Sequence, residues 1–411
     1  MKYVIIGNSA AAIGGAEGIR SVDQKGEITL ISKESEFIYS RPLISYYLKG
    51  EVKKEDMAYR GADFYEKNQV KAILGKAAVA VDSNKKTVKL GDDTVIPYDR
   101  LLVATGATPL MPPIPGLGKV KEKYTFQSMA DVLALEKVLS PERDVLILGG
   151  GLIGLKCAEG IGEKAKSVTV IDRFDHVLPS ILDNEGAAMM QKRGEAHGVS
   201  FFLGENAVKA EDHKMICESG KEVYFDILVV AAGVKPEISL LKSAGAKINH
   251  GIVVDEKNAT SLPDIYAAGD CAEGTDVVDG VKKILALLPN AYLGGKNAGI
   301  NMAGGSHVYE TAMAVNALKL WDDHLITAGI RVGETYVVQE DGAYKKLYYS
   351  IDEGYLNGFI MIGDVDRAGI YTSLIRERTP LKEIDFELIK ENPQYRAFSR
   401  QVRNDKLGGR T

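Results

Sequence analysis

A glycine-rich turn in the middle of the chain has the residue types and spacing that bind a pyrophosphate. Gly149, Gly151 and Gly154 follow a short apolar run and precede a stretch of helical composition. In a strand–turn–helix unit the first glycine permits the tight turn, the second lets the backbone approach the phosphates, and the third permits close packing of helix on strand. Leu152 and Ile153 open the helix, whose N-terminus faces the anion. The pattern predicts a dinucleotide site.

An acidic residue ends the next predicted strand, which covers residues 167–172. Asp172 lies 18 positions after Gly154, where a carboxylate accepts hydrogen bonds from a ribose 2′-hydroxyl. A 2′-phosphate would be repelled there. The sequence therefore favours NAD over NADP as the ligand of this turn.

A degraded copy of the same block begins the chain. Gly7 is retained, while Ser9 and Ala12 replace the second and third glycines, and Ala10 lies between them. Small side chains satisfy the steric demand, and Glu34 is the nearest carboxylate after the following strand. By itself this block is compatible with a nucleotide site or with ordinary core packing.

Strands and helices on either side must position these turns. Each block predicts a strand, a tight turn, a helix and a second strand, which is a βαβ unit of a parallel sheet. The last hundred or so residues alternate short strand-like runs with a helical stretch and carry no nucleotide signature. We therefore predict an α/β protein with two Rossmann-like dinucleotide-binding domains and a C-terminal α+β domain.

Length and composition exclude several other classes of protein. The 411 residues exceed one typical domain, and a hydrophobic content of 45% supports a large core. The net charge of −5 offers no electrostatic basis for binding nucleic acid or an anionic membrane. No run approaches the roughly 20 apolar residues of a membrane span. The six histidines lack metal-ligand spacing, so we predict no metal site.

Cysteine usage bears on the compartment. The three cysteines, Cys157, Cys217 and Cys271, are too few and too scattered for a disulfide framework. This favours the reducing cytoplasm.

The segment 260–272 favours a nucleotide site over ordinary core packing for the first block. It resembles the second flavin fingerprint of the FAD-dependent pyridine nucleotide-disulfide oxidoreductase superfamily. In that superfamily a strand delivers an aspartate, here Asp270, onto a ribityl hydroxyl of FAD, and the adjoining Gly269 lets the backbone come close. Two further signatures are present, at residues 102–106 and 229–236. They contain the cofactor-binding candidates Ala104, Thr105, Gly106 and Gly233.

Other segments narrow the resemblance to one branch. Residues 38–45, 289–291 and 298–304 are similar to NADH:rubredoxin and ferredoxin reductases and to the flavin portion of NADH-dependent nitrite reductase. The implied organisation is an FAD-binding domain in two segments, an inserted NAD-binding domain and a C-terminal interface domain. Their boundaries are 1–113 and 253–305 for the FAD-binding domain, 114–252 for the NAD-binding domain, and 306–411 for the interface domain.

The resemblance also assigns residues to the flavin site. Arg41 resembles the basic residue near the flavin and its phosphates, and Gln127 stands where an arginine often contacts FAD. A helix start at Pro289 resembles the one that faces the pyrimidine end of the ring system, where its positive end would stabilise the anionic reduced flavin. The remaining cofactor-binding candidates implied by the resemblance are Pro42, Ala78, Asn290 and Ala291.

One position departs from the branch. Many relatives have a glutamate where this chain has Lys156, and that glutamate pairs with a basic residue near flavin N5. Either Glu159, one helical turn further on, takes over part of this role, or Lys156 is a solvated helix residue. Arg41, Lys156 and Glu159 are therefore the candidate catalytic residues.

The expected reaction follows from a missing residue type. Disulfide reductases of this superfamily need a redox-active cysteine pair beside the flavin, and residues 39–48 contain no cysteine. We expect hydride transfer from NADH to FAD and then electron transfer to a small redox protein such as rubredoxin or ferredoxin. The alternatives are a flavin and NAD(H) subunit of a larger oxidoreductase with iron–sulfur or metal-containing partners, and a flavin-binding sensor without turnover. Association between copies of the chain stays open.

Overall fold

The computed structural model describes residues 1–340 and 342–407, which divide into two compact units. The first unit comprises Met1–Ser180, Ala187–Gly274 and Lys282–Tyr309. The second comprises Ile181–Gly186, Thr275–Val281 and the chain from Glu310 onward. In the described part of the chain, no helix combines the length and apolar character needed to cross a bilayer.

The N-terminal part of the first unit alternates strands and helices from its second residue. Its strands are β1 (Lys2–Ile6), β2 (Glu27–Ile31), β3 (Val70–Ile73), β4 (Ala78–Asp82), β5 (Thr87–Leu90), β6 (Val95–Pro97), β7 (Arg100–Val103) and β8 (Ala107–Pro109), and its helices are α1 (Ala10–Val22), α2 (Ile44–Lys49) and α3 (Phe64–Lys67).

The middle of the chain repeats this alternation. Its strands are β9 (Lys123–Thr125), β10 (Asp144–Leu148), β11 (Ser167–Asp172), β12 (Val199–Leu203), β13 (Ala207–Glu211), β14 (Lys214–Cys217), β15 (Glu222–Tyr224), β16 (Ile227–Val230), β17 (Val234–Pro236) and β18 (Ile252–Val253). Its helices are α4 (Met129–Glu136), α5 (Leu152–Ile161), α6 (Asn184–Ala196) and α7 (Ser239–Ser243). The strands β19 (Ile265–Ala267), β20 (Ala272–Thr275) and β21 (Lys282–Lys283) and the helix α8 (Leu288–Met302) follow.

Two five-stranded parallel sheets organise the first unit. Their strand orders are β19–β7–β1–β2–β3 and β12–β11–β10–β16–β9. In each sheet the glycine turn follows a central strand, β1 or β10, whose two neighbours lie on opposite sides. This is the switch point at which open α/β sheets bind ligands beyond the carboxyl ends of their strands. The fold class predicted from the sequence is confirmed.

A late strand completes the first sheet. β19 pairs in parallel with β7, with Ile265 opposite Leu101 and Ala267 opposite Val103. Within residues 260–271 of the fingerprint segment, only the 3 residues of β19 form a strand. The pairing places Gly269 and Asp270 just beyond the carboxyl edge of the sheet, beside the turn that follows β1.

Helices α1 and α8 pack backbone to backbone in front of this sheet. A Cβ atom on Gly14 would lie 2.1 Å from the carbonyl oxygen of Tyr292, and one on Gly18 would lie 2.3 Å from that of Lys296. From the other helix, a Cβ on Gly295 would lie 2.0 Å from the oxygen of Ala11. The four-residue spacing of Gly14 and Gly18 puts both on one helix face. Such proximity excludes any side chain at these positions.

The second unit is an antiparallel sheet covered by a helix. Its strand order is β22–β23–β26–β25–β24, and Tyr371 and Ile375 of α9 are fully buried against it. The first two strands, which the sequence analysis did not identify, add to the predicted runs. The elements are β22 (Val315–Leu320), β23 (Asp323–Gly329), β24 (Glu334–Glu340), β25 (Ala343–Ser350), β26 (Tyr355–Ile362), α9 (Ala368–Arg376), α10 (Phe386–Glu391) and α11 (Arg400–Leu407).

The close approach of α1 and α8 requires a residue without a side chain at position 295, and this requirement can be tested. We expect Gly295→Ala to lower the free energy of unfolding by about 1–3 kcal/mol, because the new methyl group has to push the helices apart. Urea denaturation followed by circular dichroism measures this. Gly118→Ala is the control, because a Cβ there meets no described atom within 4 Å. Equal stability of the two variants would contradict the packing argument.

Candidate functional site

A cleft lies at the carboxyl edge of the first sheet, between the turn after β1 and the segment after β19. Twelve of the residues predicted from the sequence to contact a cofactor line it, although they come from widely separated parts of the chain. They are Gly7, Ser9, Ala10, Glu34, Arg41, Ala78, Ala104, Thr105, Gly106, Gly269, Asp270 and Ala291.

The turn after β1 leaves the start of α1 open to a ligand. Gly7 has a φ of 131°, and a Cβ there would lie 2.2 Å from the carbonyl oxygen of Ala104. Only glycine tolerates both conditions. Ser9 is the N-cap of α1, yet its side chain makes no capping bond and the first turn holds no acidic residue. The N–H groups of this 13-residue helix are therefore available to a phosphate.

Asp270 is an acceptor without a donor. Its carboxylate lines the cleft and has no hydrogen-bond partner within residues 1–340 and 342–407. Burial raises the pKa of Asp270, and the nearby charge of Arg41 opposes that rise. A desolvated carboxylate in this position calls for hydroxyl or N–H donors from a ligand. The donor hydroxyls of a polyol chain, such as the ribityl group of FAD, fit this requirement.

Arg41 and Glu34, which both line the cleft, form an ion pair. Nη1 of Arg41 also donates to the hydroxyl of Tyr39 at 3.1 Å and to the backbone oxygen of Gln127 at 3.2 Å. The Tyr39 hydroxyl in turn donates to Glu34 at 2.9 Å. The two candidate residues that the sequence analysis assigned separately are thus one connected group.

Four predicted residues are not brought to the lining of this cleft. Ala12 is 1% exposed and belongs to the core between α1 and the sheet, so its small size serves packing. Pro42 is exposed in the short 3₁₀ turn Arg41–Leu43. Pro289 and Asn290 lie in the first turn of α8, where Asn290 accepts a 3.0 Å hydrogen bond from the hydroxyl of Tyr309. Their roles toward a cofactor remain predictions.

The second glycine turn lies at the switch point of the second sheet. A Cβ on Gly154 would lie 1.9 Å from the carbonyl oxygen of Gly149, and Gly149 itself has a φ of 124°. Leu152 and Ile153 begin α5 directly after the turn. Gly233, with a φ of 108°, follows the neighbouring strand β16. The geometry agrees with the steric roles expected of the first and third glycines.

The carboxylate of Asp172 is held by backbone donors at this turn. It accepts hydrogen bonds from the N–H of Gly150 at 2.5 Å and from the N–H of Phe174 at 2.9 Å. Its negative charge is therefore fixed beside the phosphate-binding turn. A carboxylate retains further acceptor positions for a ribose hydroxyl.

Lys156 is not a solvated helix residue. Its side chain is only 14% exposed and forms an ion pair with Glu159, whose side chain is 5% exposed. The ammonium also lies 4.1 Å from the centre of the Tyr46 ring on α2. This burial argues against the alternative of a solvated Lys156, while a role of Glu159 beside the flavin stays a prediction.

Several lining residues escaped the sequence analysis. Among them are Lys33, Tyr39, Glu237 and Ser239. Glu237 accepts a 2.7 Å hydrogen bond through its backbone oxygen from the Thr105 hydroxyl. It directly follows the signature at residues 229–236, and Tyr39 lies within the signature at 38–45, so both could have been found there.

None of the three cysteines lines the cleft, although Cys271 directly follows Asp270. Cys157, Cys217 and Cys271 are buried and unpaired. Burial raises the pKa of the Cys157 and Cys271 thiols, which keeps them protonated and poor as nucleophiles.

The fold and the two turns define a flavoprotein oxidoreductase with two dinucleotide-binding domains. The family model described as pyridine nucleotide-disulphide oxidoreductase matches residues 1–295. The chain belongs to this family.

Individual relatives agree with this assignment. Over 92% of both chains, the protein is 31% identical to subunit epsilon of the NADH-dependent phenylglyoxylate dehydrogenase of Aromatoleum evansii. Over 71% of this chain and 77% of the relative, it is 31% identical to the rubredoxin-NAD(+) reductase of Pseudomonas putida. The solved structure of a covalent putidaredoxin reductase–putidaredoxin complex covers 95% of this chain and 96% of that chain, with a TM-score of 0.86 and 22% identity. The predictions of an oxidoreductase and of FAD and NAD(H) as cofactors are confirmed.

The unpartnered carboxylate of Asp270 predicts opposite effects of one substitution on FAD binding and on the stability of the FAD-free protein. We expect Asp270→Asn to weaken FAD binding roughly 10- to 100-fold, because a hydrogen bond to a charged group is lost. We also expect it to stabilise the FAD-free protein at pH 7. Because the pKa of Asp270 is raised in the folded protein, ionisation of the carboxyl group opposes folding above its unfolded-state pKa of about 4. The stability gained by Asp270→Asn should therefore shrink as the pH falls toward 4.

Flavin fluorescence titration and thermal denaturation at both pH values measure these effects. The exposed Asp56 provides the control variant Asp56→Asn, which should change neither quantity. Unaltered FAD affinity of Asp270→Asn would contradict its place in the binding site.

The fixed charge of Asp172 predicts the choice of nicotinamide cofactor. We expect Asp172→Asn to shift the ratio of kcat/KM for NADH over NADPH roughly tenfold toward NADPH, because the repulsion of a 2′-phosphate is removed. Steady-state kinetics with both cofactors measure the ratio. Asp175→Asn, an exposed neighbour that contacts His176, is the control. An unchanged ratio would show that Asp172 does not determine the choice.

Proposed function

We propose that this oxidoreductase takes hydride from NADH onto FAD and passes the electrons to a small redox protein of the rubredoxin or ferredoxin type. The observation that carries this proposal is a cleft built for FAD whose described lining contains no thiol. When bound, FAD supplies the ability to accept a hydride and to release electrons singly or as a pair.

We assign the chain's own residues to binding and orientation. Asp270 and the open start of α1 would hold the polyol and phosphate parts of FAD, with Arg41 as a cation in the lining of the same cleft. The glycine turn before α5 and Asp172 would hold NADH. The buried pair of Lys156 and Glu159 would keep α5 in register with α2, so that the nicotinamide approaches the flavin at a fixed angle.

The cysteine positions argue against a disulfide substrate. A disulfide reductase of this family needs a thiol pair beside the flavin, and residues 39–48 contain none. The three cysteines of the chain are buried, and none of them lines the cleft. Electrons therefore have to leave the flavin directly, which suits one-electron carriers.

A second candidate is supported by one comparison. The relative from Aromatoleum evansii is named as a subunit of a larger NADH-dependent enzyme and matches over nearly its whole length. The same site would then exchange electrons with partner subunits. In either case the buried, unpaired cysteines support a location in the reducing cytoplasm.

The proposal is tested by anaerobic stopped-flow absorbance. Mixing the FAD-loaded protein with NADH should bleach the flavin, and adding oxidised rubredoxin or ferredoxin should restore its colour while the carrier is reduced. Glutathione disulfide is the control acceptor and should be reduced only at the background rate.

Three results would change the assignment. Rapid turnover of glutathione disulfide would contradict the argument from the cysteines. Bleaching by NADH without transfer to either carrier, together with purification in a stable complex, would favour the subunit function. A flavin that NADH fails to bleach would contradict both functions.

A further inference from the structure

The hydroxyl of Tyr39 uses every hydrogen-bonding position that it has. A tyrosine hydroxyl carries one donor and can accept two hydrogen bonds. Tyr39 donates to Glu34 at 2.9 Å, and it accepts from Arg41 at 3.1 Å and from the backbone N–H of Met129 at 3.0 Å. Its bonds join the ion pair of the cleft to the first residue of α4.

This junction leaves part of the Arg41 guanidinium available. Two N–H groups on Nη1 point to Tyr39 and Gln127, and Nη2 pairs with Glu34. A guanidinium has five N–H groups, so Nε–H and one N–H of Nη2 remain without an acceptor among residues 1–340 and 342–407. Arg41 lines the cleft. These two donors match the planar fork with which arginine binds an anionic oxygen pair.

The start of α4 gives the junction a rigid base. The side chain of Ser128 accepts from the N–H of Asp131, and the Asp131 carboxylate accepts from the N–H of Ser128, which forms a capping box. The same carboxylate also accepts from the N–H of Gln127 at 3.0 Å. The backbone groups of Gln127 and Met129 that hold Arg41 and Tyr39 are therefore themselves fixed.

We propose that Tyr39 is a positioning residue that fixes the Arg41–Glu34 pair against the start of α4, so that two guanidinium N–H groups face the cleft and bind an anionic group of FAD. The inference rests on the proposed binding of FAD in this cleft. Burial raises the pKa of Tyr39, so its hydroxyl keeps the proton that it donates to Glu34. The acceptor of the Arg41 donors is defined by its chemistry, an oxygen pair with negative charge such as that of the pyrophosphate.

A double-mutant cycle tests this role. We expect Tyr39→Phe to raise the FAD dissociation constant about tenfold, which equals about 1.4 kcal/mol. In the Arg41→Gln background the same substitution should change it less than about twofold, because the group that Tyr39 positions is gone. Titration of the FAD-depleted full-length chain by flavin fluorescence measures all four constants.

Tyr3→Phe is the matched control. Tyr3 also donates to a carboxylate, that of Asp23, at 2.9 Å, but it lies in the sheet core and not in the cleft. Its loss should lower the thermal stability of the protein and leave the FAD constant unchanged. A general loss of stability is thereby separated from a loss of positioning.

Hydrogen exchange on the wild-type chain gives a readout that needs no variant. FAD binding should slow exchange of the Met129 amide, because the anion draws Arg41 and with it Tyr39 into a more rigid group. Unchanged exchange at Met129, wild-type affinity of Tyr39→Phe, or an equal effect of Tyr39→Phe in both backgrounds would each overturn the proposal. A wild-type chain that fails to bind FAD would overturn the proposed function itself.

Discussion

The contact between the backbones of α1 and α8 is the constraint on which the FAD half of the molecule depends. Gly14 and Gly18 on one helix and Gly295 on the other leave no room for side chains at the interface. Helices that meet in this way have little freedom to slide or rotate. The start of α1 and Ala291 near the start of α8 are consequently held on two sides of one cleft.

The pairing of β19 with the first sheet positions a third segment of the cleft lining, Gly269 and Asp270. Its parallel pairing with β7 sets where the chain ends its strand, and Asp270 follows three residues after Ala267. A shift of that register by one residue would turn the strand over and move Asp270 to another depth. The chemistry of the cleft is thus decided by backbone hydrogen bonds more than a hundred and sixty residues apart in sequence.

The two nucleotide turns illustrate opposite uses of a carboxylate. At the second turn, Asp172 is already satisfied by two backbone N–H groups, which fixes its charge beside the glycines. At the first, Asp270 has no donor in the described chain and its pKa is raised by burial. A satisfied acceptor stabilises the protein alone, whereas an unsatisfied one gains its partner only when a ligand binds. The unsatisfied, buried carboxylate of Asp270 therefore destabilises the FAD-free protein at the place where FAD is expected.

The amino-acid sequence by itself determined the class of fold and the two glycine turns, and it indicated Asp172 and Asp270 as cofactor-binding candidates. These features depend on local geometry, because a tight turn needs glycine and a buried parallel strand needs a short apolar run. The strands β22 and β23 and the true length of β19 were not predicted, since short apolar runs do not reveal which neighbour they pair with. The connected group of Glu34, Tyr39 and Arg41, its attachment to α4 and the burial of Lys156 against Tyr46 were decided only by the tertiary structure. The attachment to α4 and the contact of Lys156 with Tyr46 join residues far apart along the chain, and such contacts form only after the sheets and helices have packed.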